Sequence, residues 1–352
     1  MEHLFSPYKV KGLELKNRIV MPPMCQYSVE KKDGIATDWH YLHYVNRAIG
    51  GASLIIIEMT DVEGDGRITD YDLGLWSDEQ IPALARIVEA CQRYGAKVGI
   101  QIAHAGRKAE DAAVPVAPSA IPYDEDSKIP RALSTEEVKE MVEKFRESVQ
   151  RAIKAGIDTI EIHGAHGYLI HQFHSPLTNK RDDEYGKDPT KFGREVIESA
   201  KAEMPEDMPL IMRLSAKEYA QGGYGIKESI GLAKEYQKAG VDIFHISSGG
   251  EGPLGTAGTF GRPGTHGGYQ VPLAGEIKKD LNVPVIAVGR LDDPTLANAV
   301  IGNEEADLVA VGRGMLRNPH WALEAAVQLN KETEVPSQYM ASFRSLKNVN
   351  RK

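Results

Sequence analysis

Residues Thr135 to Ile162, TEEVKEMVEKFRESVQRAIKAGIDTIEI, carry a helix pattern followed directly by a buried strand pattern. The helix pattern runs to Lys154 and ends in Ala155-Gly156, after which an apolar run begins at Asp158. The same Ala-Gly-apolar-Asp-apolar phrase returns at Ala239 to Ile246. A helix, a glycine stop and a buried strand together predict a βα repeat.

The rest of the chain repeats this unit. Eight short apolar runs predict buried parallel strands, because they are continuous in apolarity instead of alternating: Arg18 to Met21, Leu54 to Met59, Lys97 to Ile102, Thr159 to His163, Leu210 to Leu214, Ile243 to Ser247, Val285 to Val288 and Leu308 to Val311. Eight segments of helical period lie among them: Trp39 to Ala48, Glu79 to Tyr94, Thr135 to Lys154, Arg194 to Glu203, Lys227 to Ala239, Val271 to Lys279, Asp293 to Ile301 and Pro319 to Leu329.

Eight strands with eight helices favour an α/β fold, a (β/α)8 TIM barrel. We expect a single domain over residues 1–352, with a Gly-rich loop at 249–268 and a C-terminal tail at 331–352. A doubly wound open sheet is the alternative fold, but no Gly-x-Gly-x-x-Gly follows the first strand.

Composition narrows the function classes. A formal charge of −8 argues against nucleic acid as a partner, since phosphate binding needs a basic face. Two cysteines, Cys25 and Cys91, give no disulfide framework and suit a reducing compartment. The start of the chain lacks the pattern of a signal peptide, and no apolar run approaches the roughly 20 residues of a membrane span. We therefore expect a cytoplasmic protein that acts on a small molecule, with no membrane partner.

In a TIM barrel the chemistry lies at the C-terminal ends of the strands. The fourth predicted strand runs into His163-Gly164-Ala165-His166-Gly167-Tyr168, which has three proton-handling side chains in six residues. Gly289-Arg290 and Gly312-Arg313 follow strands 7 and 8, where barrels usually bind phosphate. With Gln101 and Arg213 elsewhere on the rim, this predicts a flat phosphorylated cofactor across the barrel mouth.

Two other kinds of chemistry remain open on these residues alone. Imidazole is a common zinc ligand, so His163, His166, His171 and His174 could form a metal site, although metallohydrolase barrels generally begin with paired histidines on strand 1. Lys108 could form a Schiff base in an aldolase-like barrel, although it has Arg107 beside it and no acidic partner. The alternative function is thus a flavin-free lyase or a metal-dependent hydrolase.

Several motifs in order along nearly the whole chain resemble one family: Lys16 to Met21 with Pro23-Met24-Cys25, Gly66 to Asp70 with Leu73-Gly74, Gln101 to Lys108, His163 to His171, Ser175-Pro176-Leu177, Asp183 to Gly186, and Gly312 to Pro319. They resemble the old yellow enzyme family of FMN-dependent ene-reductases, most closely its bacterial thermophilic-like branch. The resemblance implies non-covalent FMN, NADPH or NADH as hydride donor, and ping-pong reduction of the activated C=C bond of α,β-unsaturated carbonyl or nitro compounds.

The resemblance also implies residue roles. Tyr168, His163 and His166 would be catalytic, the histidines donating to the substrate carbonyl and Tyr168 protonating the α-carbon. The cofactor-binding residues would be Pro23, Met24, Cys25, Met59, Gln101, Arg213, Ser248, Gly249, Gly289, Arg290, Gly312 and Arg313. The substrate-binding residues would be Tyr27, Ile68, Lys108 and Arg344, and no metal ligand is expected.

Three features depart from the family pattern. Met59 stands where the branch usually has a small residue, and FMN binding should survive it. Gln338-Tyr339 is followed by Met340 instead of the usual Glu-Arg, so Arg344 is the nearest basic residue for the arginine that enters a neighbouring subunit. We expect a homo-oligomer, a dimer or a tetramer. Glycine recurs at every third position from Gly249 to Gly267, which predicts a long loop at the rim of the active site.

Overall fold

Eight parallel strands close into a barrel. The computed structural model describes residues 3–251 and 264–343, together with the backbone of 349–350. The strands are β1 (Ile19–Met21), β2 (Leu54–Asp61), β3 (Lys97–Ala103), β4 (Thr159–Gly164), β5 (Leu210–Ser215), β6 (Ile243–Ser247), β7 (Val285–Val288) and β8 (Leu308–Ala310). Each pairs with the next in sequence, and β1 also pairs with β8. The TIM barrel is confirmed, and each predicted strand is present with its ends shifted by at most two residues.

Helices alternate with the strands and cover the barrel: α1 (Asp38–Ile49), α2 (Ile81–Arg93), α3 (Thr135–Lys154), α4 (Lys191–Glu203), α5 (Ile226–Ala239), α6 (Val271–Leu281), α7 (Pro294–Gly302) and α8 (Trp321–Gln328). The bounds of α3 are the predicted ones. The predicted start of α2 was too early, because Asp78–Gln80 forms a separate 3-10 turn. Short helices at Leu169–His174, Glu184–Lys187 and Arg313–Arg317 were not predicted.

The repeated Asp of the βα phrase connects neighbouring strands. Its carboxylate accepts a hydrogen bond of 2.9 Å from a backbone N–H at the start of a neighbouring strand: Asp158 from Val98, and Asp242 from Leu210. Asp307, which precedes β8 without the Ala-Gly of the phrase, accepts in the same way from Val285. The glycine of the phrase ends the helix, since Gly156 and Gly240 have φ of +85° and +120°. The phrase therefore both stops a helix and aligns the strand that follows.

Apolar side chains fill two regions of the molecule. The larger cluster lies between the barrel and its helices, and a second occupies the lower barrel interior. A hairpin of Tyr8–Val10 and Leu13–Leu15 packs its leucines against the second cluster and closes the N-terminal end of the barrel. The polar side chains of the barrel are therefore left to the opposite, C-terminal end.

Part of the Gly-rich loop, residues 252–263, lies outside the described residues, as does Arg344. None of the helices in the described part of the chain is long and apolar enough to cross a membrane.

Candidate active site

Strands β3 to β6 place polar side chains side by side at the C-terminal end of the barrel. In the sheet register, Arg213 of β5 is paired with His163 on β4 and with His245 on β6. Gln101 of β3 is paired with Glu161 on β4. Residues up to 144 positions apart in sequence therefore meet in one layer.

The turn after β4 brings the two predicted catalytic histidines together. Nε2 of His163 lies 3.4 Å from Nδ1 of His166, and the Tyr168 ring packs edge-on against His163 with a centroid distance of 5.0 Å. His166 and Gly167 take left-handed backbone angles, with φ of +62° and +74°. The backbone N–H of Ala165 donates to Nδ1 of His163, so a neutral His163 carries its proton on Nε2.

Burial keeps these groups neutral. It lowers the pKa of His163 and of His166 well below the ordinary value, and the Arg213 charge acts in the same direction. Burial also raises the pKa of the Tyr168 phenol well above 10. At neutral pH the turn therefore presents two uncharged imidazoles and a protonated phenol. All three can donate a hydrogen bond.

An apolar wall supports Tyr168. Met59 and Ile68 belong to a small buried cluster together with alanines of the β3 end and the loop after it, and Tyr168 and Cys25 pack against this cluster. Burial raises the pKa of Cys25 well above its usual range. Cys25 is therefore a neutral thiol, which is a poor nucleophile.

Lys108 is held by the catalytic turn itself. Its ammonium donates to the carbonyl oxygen of His166 at 2.9 Å and lies 5.0 Å from the Tyr168 ring and 4.6 Å from the Tyr123 ring. Burial lowers the pKa of Lys108. These contacts fix the turn, and the predicted role of Lys108 as a donor to substrate stays a prediction.

A buried network below the histidines was not predicted. Nε2 of Gln101 donates to Oε1 of Glu161 at 2.7 Å, and Nδ1 of His245 lies 2.8 Å from the other Glu161 oxygen. The signal was present in the sequence, because Glu161 and His245 are polar residues inside otherwise apolar strand runs. The network fixes the Gln101 side chain in the mouth of the barrel.

Gln270 connects strand ends on the opposite side of the barrel mouth. This role was not predicted from the sequence. Its Oε1 accepts from the Ser248 hydroxyl at 2.6 Å, and its Nε2 donates to the Val288 carbonyl oxygen at 3.1 Å. Gly289 has φ of +130°, and a Cβ there would lie 3.1 Å from Gln270 Nε2. Gln270 therefore joins the ends of β6 and β7.

The predicted phosphate residues lie at the ends of β7 and β8. Arg290 and Arg313 are exposed, and Arg290 donates to the carbonyl oxygen of Thr265. A Cβ on Gly312 would lie 3.3 Å from Met24 Sδ, so Gly312 directly adjoins the loop after β1. Glycine at this position keeps the backbone open toward the mouth.

The four histidines of the metal alternative do not converge. Nε2 of His171 lies 3.0 Å from Oε1 of Glu218, and Nε2 of His174 contacts the Tyr236 hydroxyl. Within residues 3–251 and 264–343, no three His, Cys, Asp or Glu side chains are grouped closely enough to hold a metal ion. The proposed zinc ligand set is therefore not assembled.

Sequence comparison identifies the family of the chain. A family profile described as NADH:flavin oxidoreductase / NADH oxidase matches residues 3–332. The chain belongs to this family. A Listeria monocytogenes protein named NADPH dehydrogenase is 48% identical over 347 residues, which cover 98% of this chain and 100% of the relative. A Bacillus subtilis NADPH dehydrogenase is 47% identical over 339 residues, 96% of this chain and 98% of the relative.

Solved structures of this flavin oxidoreductase family share the fold. Morphinone reductase superposes with a TM-score of 0.78 at 27% identity, covering 93% of this chain and 90% of that one. An old yellow enzyme homologue from Zymomonas mobilis superposes with a TM-score of 0.77 at 28% identity, covering 94% and 93%. The resemblance to the old yellow enzyme family is confirmed. The protein is an oxidoreductase with FMN as its cofactor, and the flavin-free alternative was wrong.

The rim of this flavin oxidoreductase fits such a cofactor. Nε of Arg213 is buried without a hydrogen-bond partner among the described residues, which is costly unless a ligand accepts from it. Arg213 and Gln101 would hold the ring, and Ser248, Gly249 and the Gly-Arg pairs at the ends of β7 and β8 would hold the ribityl phosphate. These individual roles, and those of Pro23 and Arg344, stay predictions.

Proposed function

We propose that this flavin oxidoreductase takes electrons from NADPH or NADH and reduces the activated C=C bond of α,β-unsaturated carbonyl or nitro compounds. The two substrates would take turns at one site, in a ping-pong sequence. The observation that carries the proposal is the set of three neutral donors, His163, His166 and Tyr168, on one turn. Bound FMN would supply the two-electron redox chemistry there.

The histidines would bind the electron-withdrawing group of the substrate. Nε2 of His163 and the facing Nδ1 of His166 lie 3.4 Å apart, so a single oxygen would accept from both when His166 carries its proton on Nδ1 and its Nε2 accepts from the Ser247 hydroxyl at 2.7 Å. Donation to a carbonyl or nitro oxygen draws electron density from the conjugated C=C bond, which makes the β-carbon electrophilic. Two neutral imidazoles do this without stabilising a ground-state anion.

Tyr168 would supply the proton. Its phenol remains protonated at neutral pH because burial raises its pKa, and its ring is held by His163 and the apolar wall of Met59 and Ile68. Proton delivery to the α-carbon completes reduction of an enone. Tyr27 and Ile68 would line the remaining pocket.

Other features of the proposal rest on the sequence and the relatives. We propose NADPH as the preferred donor because the curated relatives are named NADPH dehydrogenase. A single domain and a homo-oligomer in which Arg344 reaches a neighbouring pocket are also proposals, and the cytoplasmic location stays a prediction.

Anaerobic stopped-flow spectroscopy of the FMN-loaded protein tests the function. We expect bleaching of the flavin absorbance with NADPH, more slowly with NADH, followed by recovery of the colour on mixing with cyclohexenone, a maleimide or a nitroalkene. Reduction by NADPH without reoxidation by any of these acceptors would overturn the proposed acceptor class while leaving the dehydrogenase activity intact.

A further inference from the structure

A buried ion pair joins the loop after β3 to the loop after β6. The Arg107 guanidinium contacts the Glu251 carboxylate directly, and their side chains are 5% and 0% exposed. Arg107 also donates to the Pro122 carbonyl oxygen at 2.8 Å. A buried ion pair is weak evidence for stability, but loss of one partner leaves an uncompensated charge. The role of such a pair is therefore better sought in what it positions.

Gly250, next to Glu251, is in direct backbone contact with the turn that carries His166 and Tyr168. A Cβ on Gly167 would lie 2.1 Å from the carbonyl oxygen of Gly250, and a Cβ on Gly250 would lie 2.1 Å from the carbonyl carbon of His166. The two backbones touch at a distance that only glycine allows. Residues 250–251 therefore support the backbone between His166 and Tyr168 from one side.

The Arg107 side reaches the same turn through its neighbour. Lys108 donates to the carbonyl oxygen of His166 at 2.9 Å and lies over the Tyr168 ring. Arg107 and Lys108 belong to one 3-10 turn, Gly106–Lys108, so they move together. Both ends of the ion pair thus act on the segment that carries His166 and Tyr168.

The carboxylate is held by charge more than by hydrogen bonds. Oε1 of Glu251 is buried without a hydrogen-bond partner among the described residues, and it would lie 3.4 Å from a Cβ at Gly167. Burial raises the pKa of Glu251 and the Glu218 charge acts in the same direction, whereas His171, Arg107 and Lys108 lower it. A neutral isostere should therefore loosen the contact without changing its shape.

We propose that Arg107 and Glu251 are positioning residues for the reaction, clamping the His166–Tyr168 turn from both sides so that the phenol keeps one orientation toward the substrate. The proposal rests on the proposed function only in the role of Tyr168. It assigns a task to Glu251, where the described part of the Gly-rich loop ends.

Glu251→Gln tests the clamp, because it preserves volume and removes the charge. We expect enone turnover to fall roughly 10- to 100-fold, as a small misplacement of a reacting group allows. Flavin reduction by NADPH should stay within about threefold, and hydride transfer to a nitroalkene should fall less than enone turnover, because it does not need a synchronous proton. Hydrogen–deuterium exchange of the peptide covering 163–171 should become faster, because Gly167 N–H loses its fixed partner, His171 Nδ1.

A second variant covers the case in which Glu251→Gln fails to fold. Arg107→Lys keeps a charge but loses the planar fork, and it should show the same pattern more weakly. The double variant Arg107→Gln/Glu251→Gln should turn over enone no more slowly than the slower of the two single variants, Arg107→Gln and Glu251→Gln. If the two residues acted independently, the rate losses of the single variants would multiply.

Asp307→Asn is the matched control. It breaks the Lys278–Asp307 ion pair, 3.0 Å long, which joins an N-terminal strand end to α6 on the far side of the barrel. We expect a lower melting temperature but the parent ratio of enone to nitroalkene rates and parent exchange at 163–171. Unchanged exchange at 163–171 in Glu251→Gln and in Arg107→Lys would overturn the clamp. A parent enzyme that reduced no enone would overturn only the role of Tyr168.

Discussion

At the scale of single residues, burial decides which protonation state each side chain of the turn adopts, and that state decides its chemistry. His163 and His166 are kept uncharged, and Tyr168 keeps its proton, because the low-polarity pocket disfavours the charged form of each. Neutral donors suit a substrate that is itself neutral. Single substitutions can therefore separate the steps.

Tyr168→Phe should affect one of the two half-reactions. Flavin reduction by NADPH needs no proton on carbon, so its rate should stay close to the parent rate. Reoxidation by an enone should slow by about 10² to 10⁴, the usual cost of losing a positioned proton donor. Nitroalkenes should be spared in the hydride step, since solvent can protonate their stabilised anion later. Slower flavin reduction in Tyr168→Phe would contradict the assigned role.

Cys25→Ser should shift the flavin midpoint potential without abolishing turnover. Burial raises the pKa of Cys25, so the residue acts as a neutral thiol and not as a covalent nucleophile. We expect turnover within about a hundredfold of the parent. Cys91→Ala, which changes a buried cysteine of α2, should leave the potential unchanged. Complete loss of activity with FMN retained would show that Cys25 has a covalent role.

At the scale of elements, helix ends are set by local hydrogen bonds. The Ser134 hydroxyl accepts from the Glu137 N–H at 3.2 Å, and the Glu137 carboxylate accepts from the Ser134 N–H at 2.8 Å. This capping box explains why the predicted start of α3 was correct to the residue. Such a signal lies within four residues and needs no tertiary contact.

Ser134→Ala should lower the unfolding free energy by about 1 kcal/mol, because the variant leaves a helix N–H without its acceptor. Urea unfolding followed by circular dichroism measures the loss as a shift in midpoint. Ser134→Asp keeps an acceptor at the same place and should lose much less. An equal loss in both variants would mean that the cap contributes nothing and that the side-chain volume matters instead.

At the scale of the whole molecule, two buried carboxyl groups couple stability to pH. Asp61, at the end of β2, has both carboxyl oxygens buried without a partner among the described residues. Asp72 is buried nearby and accepts hydrogen bonds from Ile68 N–H at 2.8 Å and from Thr69 N–H at 3.2 Å. Burial raises the pKa of Asp72 to about 6 from 3.8, and the charge of Glu58 adds to the shift.

The variant Asp72→Asn should gain unfolding free energy relative to the parent as the pH rises. Since the folded-state pKa is raised, the folded protein holds the proton between about pH 4 and 6, and its unfolding free energy falls as pH rises through that window. The penalty is complete above pH 6 and amounts to about 3 kcal/mol. Asparagine does not titrate, so the stability difference between variant and parent should grow by about 2 kcal/mol from pH 4.5 to 7.5, because about 1 kcal/mol of the penalty is already present at pH 4.5. A difference that is flat across this range would show that Asp72 does not titrate as assigned.

The sequence by itself determined the elements and most of the site. Strands and helices were predictable because residues two, or three and four, positions apart share a face, so periodicity records burial locally. Glycine stops and the capping box set the helix ends for the same reason. The histidine turn was visible because its members lie within six residues, and the old yellow enzyme resemblance was carried by similarly short motifs.

Only the tertiary structure decided which distant side chains meet. Glu161 and His245 are 84 positions apart, and Arg107 and Glu251 are 144 apart, so no local pattern records either pair. The contact of Lys108 with the carbonyl oxygen of His166, 58 positions away, was likewise invisible in the sequence. Barrel closure makes these pairs, because it brings the ends of successive strands to one rim whatever length of chain separates them.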